Sequence, residues 1–311
     1  MRFLIVLLAL PLGAAVDGTV VNRTLGKPQA GATVTLYKLG QDGMTSLESV
    51  KSDAAGKFTI QQNAAGGPHL LQAAFEGVTY NRMLPPGAPT SGVEIEVFQS
   101  AKTPAGITVK QHVFILEPAG GKLQVAENIV YENKGTRTYN DPAGSIRFYL
   151  PAETKGKARV MCEAPNSMPI ERTVTLTKDN IYAVDFPVKP GETRIQATYE
   201  MPLGDPPLWA VNLLHKEGDT RLATPPGVTL KGEGIREIGK ETRTQAVIYE
   251  ATGQQIRAMV EGTGALQEAA GSQDDAPGIQ QIKPRIFESI EVVMGLAAGI
   301  LILAFALVYR R

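Results

Sequence analysis

The side chains best suited to catalysis or metal binding are few in this chain of 311 residues: three histidines, one cysteine and one tryptophan. His69 follows a turn, His112 shares the outward face of its strand with Lys110, and His215 closes a strand after Leu214. No pair has the H-x-x-x-H or C-x-x-C spacing of a zinc site, so the spacing predicts three isolated surface or strand-end residues. A G-x-S-x-G nucleophile turn is absent. The Gly-Lys pairs beginning at Gly26, Gly56 and Gly121 continue with Pro28, Phe58 and Leu123, where a phosphate loop needs Ser or Thr. Gly232-Glu233-Gly234 falls among short strands rather than at a strand-to-helix turn, which argues against a dinucleotide site. Asp274 and Asp275 sit in a stretch without scaffold, and EF-hand spacing is missing. The expectation is a chain that is not an enzyme, with no catalytic residue, no cofactor and no metal.

A single cysteine excludes an internal disulfide. In ARVMCEAP, Val160, Cys162 and Ala164 share a face, so Cys162 is expected as a small buried hydrophobe, with an intermolecular disulfide as the alternative. Trp209 shares parity with Val211 and Leu213 and is expected to plug the end of a core; the alternative is an exposed platform for glycan stacking. Lys+Arg and Asp+Glu both number 31, so a net charge of zero gives nucleic acid nothing to attract.

The elements around these residues read as all-β. From 16 to 101, apolar residues alternate with polar ones: Ala32, Val34 and Leu36; Phe58 and Ile60; Leu71, Ala73 and Phe75; Val93, Ile95 and Val97 against Glu94 and Glu96. Period-two alternation marks antiparallel sheets packed on one core. Turn signals at LGKP, QDG, DAAGK and AAGGP separate the runs. The order Gly18-Thr19-Val20, Gly26-Lys27-Pro28, Ala30-Gly31-Ala32-Thr33-Val34-Thr35-Leu36, Asp53-Ala54-Ala55-Gly56-Lys57-Phe58 and Gly66-Gly67-Pro68-His69-Leu70-Leu71 resembles the carboxypeptidase regulatory-like family. The resemblance implies a seven-stranded, transthyretin-like Greek-key sandwich with a carbohydrate-binding-like fold; His69 stands where that family has Tyr. The related CnaB-type adhesin modules carry a Lys–Asn isopeptide bond, but DGTVVN has no Lys and GVEIEVFQ no Asn, so none is expected.

Residues 102–262 continue as strands and predict a second, larger antiparallel β-sandwich region. Ile107, Val109, Val113 and Ile115 are placed on one face of their strand, and Leu123, Val125, Ile129 and Tyr131 on one face of the next. Residues 263–287 are rich in small, polar and Pro residues and read as a juxtamembrane linker.

Both ends predict membrane targeting. Residues 1–15 combine Arg2, a short apolar run and small residues at Gly13, Ala14 and Ala15, the pattern of a cleaved signal peptide. Residues 288–311 include the uncharged run Val292 to Tyr309, long enough as a helix to cross a hydrocarbon core of ~30 Å. Arg310 and Arg311 set the cytoplasmic side. Gly295 and Gly299 lie four apart on one helix face, a G-x-x-x-G groove for helix–helix packing in a homodimer or with another membrane partner.

These features predict a type I single-pass membrane protein with its bulk extracytoplasmic, in the periplasm or on the surface of a bacterium. The expected role is that of a non-catalytic scaffold presenting β-sandwich modules to a protein partner. Two alternatives are open: a carbohydrate or cell-envelope polymer binding module, and an enzyme with a site in the second region.

Overall fold

A computed structural model describes residues 16–41, 43–64 and 66–266. The segment expected as a signal peptide, most of the expected linker, and the expected membrane helix with Gly295 and Gly299 lie outside the described residues. Within them the protein is all-β, with one short 3-10 turn at Ala152–Thr154. Among the described residues no helix is long and apolar enough to cross a membrane.

Two four-stranded sheets form the N-terminal sandwich. In one, Val16–Asn22 pairs antiparallel with Lys27–Pro28 and Lys57–Ile60 and parallel with Val93–Val97. The other runs Gly43–Lys51, Thr33–Gly40, His69–Phe75, Val78–Leu84, all antiparallel. The alternating residues meet between the sheets: Val16, Val20, Val34, Leu36, Phe58, Ile60, Leu71 and Ile95 form one core. The outward residues of Val93–Val97 pair on the surface, where Arg23 bridges Glu94 and Glu96.

The turn in DAAGKF has a specific chemistry. Asp53 Oδ1 accepts from the Ala55 and Lys57 backbone N–H groups, both at 2.8 Å. Gly56 closes the turn at φ 73°, and its carbonyl accepts from Val20 N at 2.8 Å. A Cβ at Gly56 would lie 2.7 Å from the Val20 carbonyl oxygen, so only glycine meets both demands.

The second region is built on an eight-stranded sheet. Its order is Ile170–Arg172, Arg159–Glu163, Gly191–Pro202, Lys122–Asn133, Ile107–Ala119, Asp219–Thr224, Val247–Ala251, Ile235–Lys240. Two three-stranded sheets accompany it: Ile146–Tyr149, Ile181–Val184 and Thr175–Lys178, and Leu208–Asn212, Gln255–Glu261 and Thr229–Lys231. One continuous apolar core reaches from Val109 to Val260, so the strands after residue 220 complete this core rather than build another.

The face assignment for Ile107–Ala119 is corrected by the structure. The register against Lys122–Asn133 shifts between Val109 and Gln111. This β-bulge inserts Lys110 and reverses the parity of every residue after it. Val109 points inward, but from there the buried series is His112, Phe114 and Leu116, while Val113 and Ile115 are only half-buried.

Candidate functional site

The bulge turns His112 into the core, where alternation has placed a carboxylate. On Lys122–Asn133 the buried series is Leu123, Val125, Glu127 and Ile129. Phe114 stands directly opposite Glu127 and His112 opposite Ile129, so His112 and Glu127 are diagonal neighbours on one face. His112 Nε2 lies 2.8 Å from Glu127 Oε1, and both side chains are almost wholly enclosed. His112 Nδ1 lies 2.9 Å from His215 Nε2, and His215 Nδ1 lies 2.7 Å from the Glu217 carbonyl oxygen. The expectation of three isolated histidines is thereby corrected for this pair. His69 is also buried, with Nδ1 2.9 Å from the Gly67 carbonyl oxygen.

The carbonyl partner orients the chain of donors. A carbonyl only accepts, so His215 Nδ1 must donate. Burial first, and then the nearby His112, lower the proton affinity of His215 against the raising effect of the Glu217 bond, which favours its neutral ring. Nε2 of His215 must then accept from His112 Nδ1–H. Neither nitrogen of His215 is left to act as a base. Glu127 Oε2 and Thr193 Oγ1 are buried without hydrogen-bond partners. Buried polar atoms of this kind mark places where ordered water or a ligand group completes the network.

The histidine chain forms part of the wall of a cleft. Two adjoining hollows of about 280 and 400 Å³ share Pro104, Val109, Tyr131, Tyr139, Ser145, Leu214 and His215. Arg147, Tyr149 and Asn212 extend the first hollow. Tyr131 Oη donates to the Arg147 carbonyl oxygen at 3.3 Å, and the Arg147 guanidinium reaches Asp141 at 3.3 Å. Burial, followed by the Asp141 charge, raises the Tyr139 phenol above its ordinary value, so its hydroxyl stays protonated and able to donate.

Trp209 is 0% exposed and packs edge-on against Phe114, with ring centroids 5.1 Å apart. The stacking role considered for it is therefore corrected: no face of the indole is open to a sugar. Cys162 is buried and burial pushes its thiol up to about 12, which leaves no accessible thiolate for an intermolecular disulfide. Among the described residues no group of three or more His, Cys, Asp or Glu is placed to hold a metal ion.

Sequence reasoning missed Glu127 and the cleft. The signal for Glu127 was its parity: a carboxylate in step with Leu123, Val125 and Ile129 must be buried, and a buried carboxylate needs a partner. No signal of spacing joins His112 to His215.

No family model matches the chain, and no curated protein matches it. Among solved structures it is similar to the M1 zinc metallopeptidase from Deinococcus radiodurans, at 13% identity and a TM-score of 0.29, over 51% of this chain and 42% of that one. The chain thus spans less than half the length of that enzyme, and a likeness at this score carries no argument about activity.

Proposed function

We propose that the protein is a non-catalytic, membrane-tethered extracytoplasmic binding protein whose second sandwich takes a sugar unit of a carbohydrate or cell-envelope polymer. The observation that carries this reading is the cleft walled by Tyr131, Tyr139 and Tyr149, with Ser145, Arg147 and His215 beside them. A sugar ring has apolar C–H faces and a rim of hydroxyls. Half-buried tyrosines meet the faces while hydroxyl, guanidinium and carbonyl groups meet the rim. The engagement of both His215 nitrogens favours binding over proton-transfer chemistry.

The first sandwich is proposed as a carboxypeptidase regulatory-like, transthyretin-like Greek-key module, supported by the turn chemistry of Asp53 and Gly56. The apolar segments at both ends support the signal peptide and the type I anchor, with the G-x-x-x-G pair as a helix–helix contact.

A second reading, a scaffold for a protein partner, is favoured by the way the two sandwiches are joined. Ser100–Ala101 pairs with Thr138–Tyr139, and the Tyr80 hydroxyl bonds Phe98 O and Thr138 Oγ1, both at 2.9 Å. Such a junction presents both modules as one fixed surface. A glycan array probed with the soluble ectodomain tests the first reading. Binding that Tyr139→Ala reduces by at least about tenfold, the order expected for losing one well-packed aromatic contact, is the expected result. An array without signal, together with a specific protein cross-linked to the anchored chain in its native membrane, favours the second.

A further inference from the structure

Lys189, on the segment joining Ile181–Val184 to Gly191–Pro202, carries a charge that nothing nearby balances. The residue is 8% exposed. Among the described residues it makes no ion pair or hydrogen bond; its ammonium instead stands 5.1 Å from the centroid of the Tyr80 ring. The Tyr80 hydroxyl is already committed to Phe98 and Thr138, so the ring face is what Lys189 meets. The amine borders a hollow of about 280 Å³ between the two sandwiches, whose walls include Tyr80, Asn81, Arg82, Phe98 and Asn166. Glu94 and Glu96 also line it, but both are held by Arg23. Arg82 has no carboxylate within ion-pairing distance among the described residues, which leaves its guanidinium available at the mouth.

We propose that this hollow is a carbonyl-capturing site, in which Lys189 condenses with the aldehyde or ketone group of a small molecule whose anionic group pairs with Arg82. The Nζ lone pair forms the C–N bond, the carbonyl oxygen takes both amine protons, and it leaves as water. The product is an imine, and no oxidant or reductant takes part. Burial favours this chemistry because it holds the amine down to about 8, where a ready fraction is neutral near pH 7.5. The site is independent of the tyrosine-lined cleft, and neither proposal depends on the other.

The test uses the full-length protein in detergent, incubated at pH 7.5 with limiting glyoxylate and cyanoborohydride, which converts an imine into a stable secondary amine. Peptide mass mapping then ranks the lysines. Lys189 is expected to react at least about fivefold faster than Lys110 and Lys122, whose exposed ammonium groups are tied to Glu192 and Glu200. Its rate should rise with pH about a midpoint near 8. Arg82→Ala should slow capture of glyoxylate at Lys189 by about fivefold, leave capture of neutral acetaldehyde unchanged, and spare Lys110 and Lys122. Arg82 is exposed and unpaired, so this variant keeps its fold. Labelling of Lys189 no faster than the exposed lysines, or only after denaturation, overturns the proposal and leaves Lys189 as a cation–π staple between the sandwiches. Equal slowing of acetaldehyde and glyoxylate in Arg82→Ala overturns the anion preference.

Discussion

The two sandwiches treat charge in opposite ways. The first keeps its ion pairs outside: Arg23 meets Glu94 and Glu96 on a surface where all three side chains are about half exposed. Its core is apolar, apart from small or locally bonded groups such as Asn22, Ser52 and His69. The second buries Glu127 against His112 and leaves Glu127 Oε2 and Thr193 Oγ1 unpartnered inside. Desolvating a carboxylate is expensive, and apolar residues of the same volume are often at least as stable. A fold that needed only a core would follow the first pattern. The second pattern fits the proposed binding site, and the polar chain does end in the wall of a cleft.

Deleting one charge from each sandwich separates these patterns most sharply. Glu127→Ala should cost about 3–5 kcal/mol, because it strands His112 among apolar neighbours. The matching change in the first sandwich, Glu94→Gln, should leave the melting temperature essentially unchanged. Thermal melts of a fragment spanning residues 16–266 check both. Equal losses would show that the contrast between the modules is not energetic.

Backbone geometry gives the next effect. Gly56→Ala places a Cβ against the Val20 carbonyl at a left-handed φ and should cost the first sandwich about 1–3 kcal/mol. Denaturant titration should show that loss in the first sandwich; a neutral result would mean that the Asp53 turn relaxes at no cost.

The smallest effect is a pH dependence confined to the second sandwich. His215 has its proton affinity lowered in the folded state, chiefly by burial. Unfolded chains therefore bind more protons than folded ones as pH falls below the ordinary histidine value of about 6.5. Its contribution is complete above that value and is lost as pH falls towards the lowered one. A second proton would also set two N–H groups against each other at the His112 contact. Stability should decline between pH 7 and 5, and His215→Gln should flatten the decline. A profile unchanged by that substitution would remove His215 from the acid response.

Much of the first sandwich was legible because alternation ran unbroken within the strands that face its core: Val34 and Leu36, Phe58 and Ile60, Val93, Ile95 and Val97 all point where parity puts them, and its register shift falls against the outer strand Gly43–Lys51. The second failed at one residue. Lys110 is an inserted position that only the partner strand reveals, and it carried His112 to the wrong face. Parity works along a strand until a bulge interrupts it, and a bulge is a property of two strands. The His112–His215 contact spans 103 positions and depends on the pairing of Ile107–Ala119 with Asp219–Thr224, which no spacing encodes. Lys189 was invisible for the same reason, since its surroundings come from both sandwiches. Trp209 was readable from its parity with Val211 and Leu213, all three of which are buried.

The central claim, that the ligand site lies in the tyrosine-lined cleft of the second sandwich, is tested most directly by mapping amide chemical shifts while a fragment spanning residues 16–266 is titrated with soluble cell-envelope glycan fragments. Saturable shifts centred on residues 139–149 and 212–217, lost in Tyr139→Ala, are the predicted result. Shifts confined to the first sandwich, or none anywhere across the fragments, would contradict it.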